Sequence, residues 1–354
     1  MGRFVSSLVR RGQPDPHGET NLNKMILVTG AAGFIGSHVT QALLARGNGV
    51  VGVDNMNDYY DPARKRANLM EIYDLLPASS DFKFIEGDIR DRGLCLDLFS
   101  DYHIDVVIHL AAMAGVRVSI EDPFLYYDVN LNGTLMLLEA SVGRLSKGLA
   151  VPSTKQFVLA STSSVYGATD RIPFVEDDLC TSPLAPYPAS KRAAELLGYT
   201  YYHLYGLNFT ALRFFTVYGP RGRPDMMAYK VADNIFFGRE VPLYNNGQMH
   251  RDWTYIDDIV EGVLAAADHP MGYEVINLGR GEPVLVADFV QFIEEMTGRK
   301  ARLISGPIPE ADIPYTFADI SKARRLLGYS PAISVREGIS HFLGWYEKAV
   351  LKTR

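Results

Sequence analysis

The stretch KMILVTGAAGFIGSHVTQALLARG, residues 24–47, decides how the rest of the chain is read. A short apolar run ends in a glycine, and a segment with helical spacing of its apolar positions follows, closed by Gly47. Gly30, Gly33 and Gly36 fall between the two, a GxxGxxG spacing. A strand that turns tightly into a helix needs glycine where the backbone bends and where a phosphate must come close. The helix start, here Phe34 and Ile35, then offers unpaired N–H groups to an anion. The pattern points to a dinucleotide site. GVVGVD (49–54) reads as the second strand, and its last residue, Asp54, lies about twenty residues beyond the first glycine. A carboxylate there takes the adenosine ribose hydroxyls and repels a 2′-phosphate, so NAD is expected in preference to NADP; Asn55 lies beside it.

Outward from this unit the same alternation continues. FKFIEGD (82–88), DVVIHLAA (105–112), QFVLAS (156–161) and FTALRFF (209–215) are further apolar runs, with helical patterns at 91–100, 123–142 and 187–204 between them. Short continuous apolar strands separated by helices predict a parallel sheet buried on both faces, hence an α/β, doubly wound Rossmann fold. Asp88 and Ile89 are placed at the end of the third strand, beside an adenine. Leu110, Ala111 and Ala112 end the fourth, small enough for a cofactor to come close.

After about residue 220 the character shifts. GPRGRPDM (219–226) is a Gly/Pro/Arg loop, VPLYNNGQ (241–248) reads as an edge strand with a turn, and helices are expected over 285–298, 320–327 and 335–350. The predicted organisation is a lead-in at 1–24, polar and proline-containing, with Met25 as an alternative start. A nucleotide-binding domain follows at 25–220, then a smaller substrate lobe at 221–354 from which a strand near 273–278 returns to the main sheet.

Bulk composition excludes several classes. Hydrophobic residues make up 47% of the 354 and charged residues 21%, an ordinary globular balance. A net charge of -6 argues against a nucleic-acid or membrane-surface binder, which carries a basic face. No run reaches the roughly 18 apolar residues of a membrane span. The two cysteines, Cys95 and Cys180, lack any metal-type spacing and read as free thiols of a reducing, cytoplasmic compartment.

Chemistry concentrates in two places. In STSSVYG (161–167), Thr162, Ser163 and Ser164 stand in a row with no acid among them; in YPASK (187–191), Tyr187 and Lys191 are four apart, on one face of a helix. A tyrosine near pKa 10 is a poor base at neutral pH, and a neighbouring ammonium together with a positive nicotinamide ring is expected to stabilise its phenolate.

Taken with Asn130, GDIRD (87–91), RFFTVYGPRGRPDMM (213–227) and RDWTYIDDIV (251–260), these motifs resemble the extended short-chain dehydrogenases/reductases, specifically the nucleotide-sugar epimerase/dehydratase group, over about residues 25–350. The resemblance implies Thr162 as the catalytic hydroxyl, Tyr187 as the base and Lys191 as the residue that holds the cofactor ribose and tunes Tyr187. It places Asn130 and Phe215 near the cofactor and implies a homodimer through the helices at 123–142 and 187–204. Dehydratases of this group carry an acid pair after the threonine and decarboxylases a glutamate; Ser163 and Ser164 stand there instead, which leaves epimerisation at C4. Thr216 and Arg223, with AAMAGVRVSIEDP (111–123) and DNMNDYYDP (54–62), resemble the UDP-glucuronate 4-epimerases. That likeness implies a UDP-sugar substrate whose carboxylate meets Thr162, Ser163, Thr216 and Arg223. It also implies a diphosphate on Arg251, a contact from Arg117, and a uracil along Val241, Leu243 and Tyr244. Neutral-sugar epimerases, UDP-glucuronate decarboxylases and a non-catalytic scaffold are the rival readings.

Overall fold

A computed structural model describes residues 24–75, 80–145 and 154–352; the lead-in read at 1–24 lies outside them except for Lys24. The strands are β1 (Met25–Thr29), β2 (Gly49–Asp54), β3 (Phe82–Glu86), β4 (Val106–His109), β5 (Gln156–Thr162), β6 (Asn208–Phe214), β7 (Thr216–Tyr218), β8 (Glu240–Tyr244), β9 (His250–Tyr255), β10 (Tyr273–Leu278), β11 (Pro283–Leu285) and β12 (Arg302–Gly306). The helices are α1 (Phe34–Ala45), α2 (Pro62–Leu75), α3 (Arg92–Asp101), α4 (Val118–Glu121), α5 (Pro123–Tyr127), α6 (Thr134–Ser141), α7 (Pro186–Tyr205), α8 (Met227–Phe236), α9 (Ile256–Asp268), α10 (Val286–Thr297), α11 (Ser321–Leu327) and α12 (Val335–Tyr346).

Seven strands form one sheet in the order β10-β6-β5-β4-β1-β2-β3, with every neighbouring pair parallel. The continuous apolar runs are explained by which way alternate residues face. Ile26 and Val28 of β1 pack with Val39 and Leu43 of α1 and with Ile259 and Val263 of α9. Leu27 and Val51 pack on the opposite side with Leu98 of α3 and with Leu137 and Leu138 of α6. A strand covered on both faces has no polar side to alternate with. The chain winds one way from β1 to β3 and the other way from β4 onward, so a crevice opens beyond the carboxyl ends of β1 and β4, the usual ligand position in such sheets.

Three details depart from the simple reading. The helical pattern at 123–142 is interrupted: α5 runs into a π turn over Asp128–Gly133 before α6 begins. The third strand stops at Glu86, so Asp88 and Ile89 lie in the loop beyond it. Two small sheets accompany the main one, β11-β9-β7, to which β7 is contributed from before residue 220, and β12-β8, while β10 hydrogen-bonds to β6 in parallel along its whole length, from Tyr273 opposite Phe209 to Leu278 opposite Phe214. None of the described helices is long and apolar enough to cross a membrane.

Candidate active site

The turn after β1 is built from glycine for steric reasons that the coordinates make explicit. Gly30 has φ +70°, and a Cβ there would sit 2.8 Å from the backbone nitrogen of Ala111, across the crevice. A Cβ on Gly36 would lie 2.0 Å from the carbonyl oxygen of Gly30, so no other residue lets α1 start this close to its strand. Gly33 caps α1 in extended backbone with no side chain bonding the first turn, and no acid stands in that turn. The N–H groups of Phe34 and Ile35 thus open into a cavity of about 330 Å³. Along it lie Asp54, Asn55, Asp88, Ile89, Leu110, Ala111, Ala112 and Phe215, together with Thr162, Tyr187 and Lys191.

Asp54 is buried at the end of β2. Its Oδ1 accepts from the backbone N–H of Met56 at 2.9 Å and from Lys65 Nζ at 3.1 Å. Lys65, itself buried on α2, is a cavity residue that the sequence pattern did not single out; only its position eleven residues after the acid connects them. Asn55 donates to Asp88 at 3.0 Å, and Arg90 grips the same carboxylate through Nε and Nη2, holding Asp88 well below the usual carboxylate range.

The chemical end of the cavity is assembled by β5 and α7. Helix α7 begins after extended Ala185 with proline in its first turn, where a missing N–H costs nothing, and ends at left-handed Gly206. Tyr187 and Lys191 lie one turn apart on it, and Thr162 ends β5 opposite them. Thr162 Oγ1 donates to Ser164 Oγ at 3.3 Å and accepts from the Ser164 N–H at 3.2 Å. Burial raises the Tyr187 pKa, while the neighbouring Thr162 hydroxyl and the Arg223 guanidinium pull it down. Arg223 thus joins Lys191, which the sequence places one helical turn from Tyr187, as a cation of the same cavity.

Lys191 is 2% exposed, and its Nζ has no hydrogen-bond partner among the described residues. Burial holds its pKa down to about 8, against an upward pull from Glu195. An orphaned ammonium in the same cavity as a glycine cradle fits a dinucleotide, whose ribose hydroxyls are acceptors and whose phosphates match the open helix start.

Other expected residues fall elsewhere. Asn130 does not line the cavity: its Oδ1 accepts from Met113 N–H at 2.8 Å and its Nδ2 donates to Met113 O at 2.9 Å and Ser190 Oγ at 3.0 Å, so its amide ties the loop after β4 to α7. Ser163 and Ser164 open a short 3-10 turn behind Thr162 and stand back from the main cavity. Thr216 borders a small neighbouring void that it shares with Arg223. Val241 and Leu243 point into the core, leaving only backbone to offer a base. Arg117, Tyr244 and Arg251 form a separate cluster. The Arg117 guanidinium lies 4.5 Å over the Tyr244 ring and pairs with Asp312 at 2.6 Å, and Arg251 approaches the same carboxylate at 3.9 Å.

A parallel doubly wound sheet, a glycine turn at its crevice and a Tyr–Lys pair facing a threonine define a tyrosine-dependent short-chain dehydrogenase/reductase site. The NAD dependent epimerase/dehydratase family model matches residues 26–279, and the chain belongs to that family. It is 45% identical over 325 residues to a UDP-glucuronate 4-epimerase of Thermodesulfobacterium geofontis, across 92% of this chain and 96% of that one. It is 44% identical over 345 residues to UDP-glucuronate 4-epimerase 4 of Arabidopsis thaliana, across 92% and 76%. The crystal structure of UDP-glucuronic acid 4-epimerase from Bacillus cereus in complex with UDP-glucuronic acid and NAD superposes with a TM-score of 0.82 at 36% identity, covering 92% of this chain and 99% of that one. A UDP-glucose 4-epimerase of Thermotoga maritima, solved with UDP-glucose, superposes at 0.81 with 31% identity, covering 92% and 99%.

Proposed function

We propose that this protein is a UDP-glucuronate 4-epimerase that interconverts UDP-glucuronate and UDP-galacturonate. The observation that carries the choice of sugar is Arg223, which lines the same cavity as Tyr187. A C6 carboxylate seeks such a planar donor set, and a neutral hydroxymethyl group has no need of it. The absence of an acid at Ser163 and Ser164 supports epimerisation over dehydration or programmed decarboxylation.

The chain's own residues divide the work. Tyr187 takes the proton of the C4 hydroxyl and later returns it, with the neighbouring Thr162 hydroxyl favouring the phenolate. Lys191, buried and unpartnered, holds the dinucleotide ribose beside them. When bound, NAD accepts hydride from C4 and gives it back. Between the two transfers the 4-keto sugar turns about its diphosphate link and presents its other face. Arg117 and Arg251 hold the diphosphate, and Asp312 keeps the two guanidinia together. Asp54 and the Gly30–Gly36 cradle hold the adenosine and pyrophosphate. Arg223 grips the sugar carboxylate.

That grip has a second consequence. Oxidation at C4 of a uronate makes a β-keto acid, which loses CO₂ when the bond to the carboxylate aligns with the carbonyl π system. A fixed carboxylate is held out of that alignment. We also propose a homodimer, supported by the exposed apolar run Leu196, Tyr199, Tyr202 and Leu204 on α7 and by Phe124, 87% exposed, on α5. Buried free Cys95 and Cys180 suit a reducing, cytoplasmic setting.

Incubation with UDP-glucuronate and NAD⁺, with the product sugar identified by NMR, tests the reading. UDP-galacturonate is expected. UDP-xylose as the product, or turnover of UDP-glucose with UDP-glucuronate untouched, overturns it.

A further inference from the structure

Arg223 does not approach the cavity with its donors free. Its Nε donates to Asp225 Oδ1 at 3.0 Å and its Nη2 to Asp225 Oδ2 at 2.7 Å, a two-pronged pair that occupies one full edge of the guanidinium. That edge is the one best shaped for a carboxylate. Asp225 is fixed in turn by the Tyr59 hydroxyl, which donates to its Oδ2 at 3.3 Å, and the Arg223 guanidinium sits 5.5 Å over the Tyr59 ring. Tyr59 is itself confined, since a Cβ on Gly115 would lie 2.7 Å from its hydroxyl oxygen. The pair is partly exposed, 21% for the arginine side chain and 34% for the aspartate, so it is open to exchange with a ligand.

We infer that Asp225 is an internal competitor for Arg223, a specificity-setting residue that weakens the hold on a sugar carboxylate while leaving a neutral sugar unaffected. The inference rests on the assignment of Arg223 as the carboxylate ligand. A guanidinium has five N–H groups, and the bonds to Asp225 take Nε and one hydrogen of Nη2. An incoming carboxylate must either use the remaining edge, with a second negative charge close by, or displace Asp225 from its seat. Both routes cost affinity that a hydroxymethyl group does not lose. The arrangement suits a reaction in which the sugar turns over between two transfers: an unopposed arginine would bind both sugar orientations tightly without favouring the transition state.

The test compares binding of UDP-glucuronate and UDP-glucose, measured by calorimetry on the NAD-loaded wild type and on Asp225→Asn and Asp225→Glu. Asparagine keeps an acceptor for Arg223 and Tyr59 but removes the charge. Asp225→Asn is expected to tighten UDP-glucuronate by about five-fold, the upper range for a partly exposed ion pair, with UDP-glucose changed less than about two-fold. Asp225→Glu is expected to keep the wild-type preference. Weaker binding of UDP-glucuronate by Asp225→Asn, or equal changes for both ligands, overturns the inference, because each means that Asp225 merely props the loop. Failure of the wild type to convert UDP-glucuronate sinks the proposed function instead, and the affinity ratio still decides the role of Asp225.

Discussion

The carboxylate of Glu195 lies one helical turn beyond Lys191 and is clasped by Arg213 of β6, Oε1 at 3.0 Å from Nε and Oε2 at 2.9 Å from Nη2. Both side chains are essentially sealed from solvent, and Ser161, the residue before Thr162, donates to the same carboxylate at 2.6 Å. Glu195 thus fastens the helix of Tyr187 and Lys191 to β6 through Arg213 and to β5, the strand that ends in Thr162, through Ser161. Removing Arg213 leaves the buried Glu195 to Arg192, a partly exposed cation 3.1 Å from its Oε2, in place of the sealed two-pronged clasp; breaking a buried pair typically costs about 3–5 kcal/mol. Arg213→Leu is expected to lose stability on that scale in urea denaturation. A loss below about 1 kcal/mol would show that the pair is not an anchor.

The Tyr187 phenol is the proton carrier of the proposed reaction. Tyr187→Phe should lower kcat by about a hundred- to ten-thousand-fold, while the glycine cradle and Lys191 still retain the dinucleotide. NMR of the product sugar gives the rate, and absorbance of the bound nicotinamide gives retention. Inversion at the parental rate would rule the phenol out.

Arg223→Gln removes the cation that the proposed reaction sets against the sugar carboxylate. If the grip on the carboxylate prevents CO₂ loss, this variant converts UDP-glucuronate partly to pentose products. A slower variant that still makes only uronate would separate the two effects and leave the protective role without support.

His109 is fully buried at the end of β4, its Nδ1 2.7 Å from Thr29 Oγ1 and its Nε2 2.9 Å from Thr134 Oγ1. Burial lowers its pKa from 6.5 to about 3, so the folded protein prefers the neutral ring. The unfolded chain takes up a proton first as pH falls. Stability is therefore complete above pH 6.5 and is lost progressively from there toward about 3. At pH 5 the contribution lost is on the order of 2 kcal/mol. Urea midpoints at pH 7.5 and pH 5.0 for the parent and for His109→Gln measure it; an equal acid sensitivity in both proteins would assign the loss to other groups.

The nucleotide half of the fold is legible in the sequence because its signals are local. A glycine that must bend, as Gly30 does, and one that must vanish, as Gly36 does, leave marks at fixed spacing from a single strand and helix. Tyr187 and Lys191 are legible for the same reason, since one helix carries both. What escapes is set by contacts distant in sequence. Nothing near Lys65 announces that it will meet Asp54, and Asp225 reads as a loop acid until its two bonds to Arg223 are seen. Asn130 shows the same dependence on distant contacts: its amide bonds Met113 and Ser190, partners that its place in the sequence does not reveal. The strands β7 and β11 escape because, at three residues each, they carry too few to show a period.

The strand at 273–278 also settles how the chain can be divided. A polypeptide stopped at residue 220 would leave β6 as a bare border of unpaired amides and carbonyls, sticky toward other copies of itself. The nucleotide-binding half is not a portable cassette to be grafted or expressed alone. It reaches its finished form only after ribosomal synthesis has passed residue 278 and the late strand has sealed the margin.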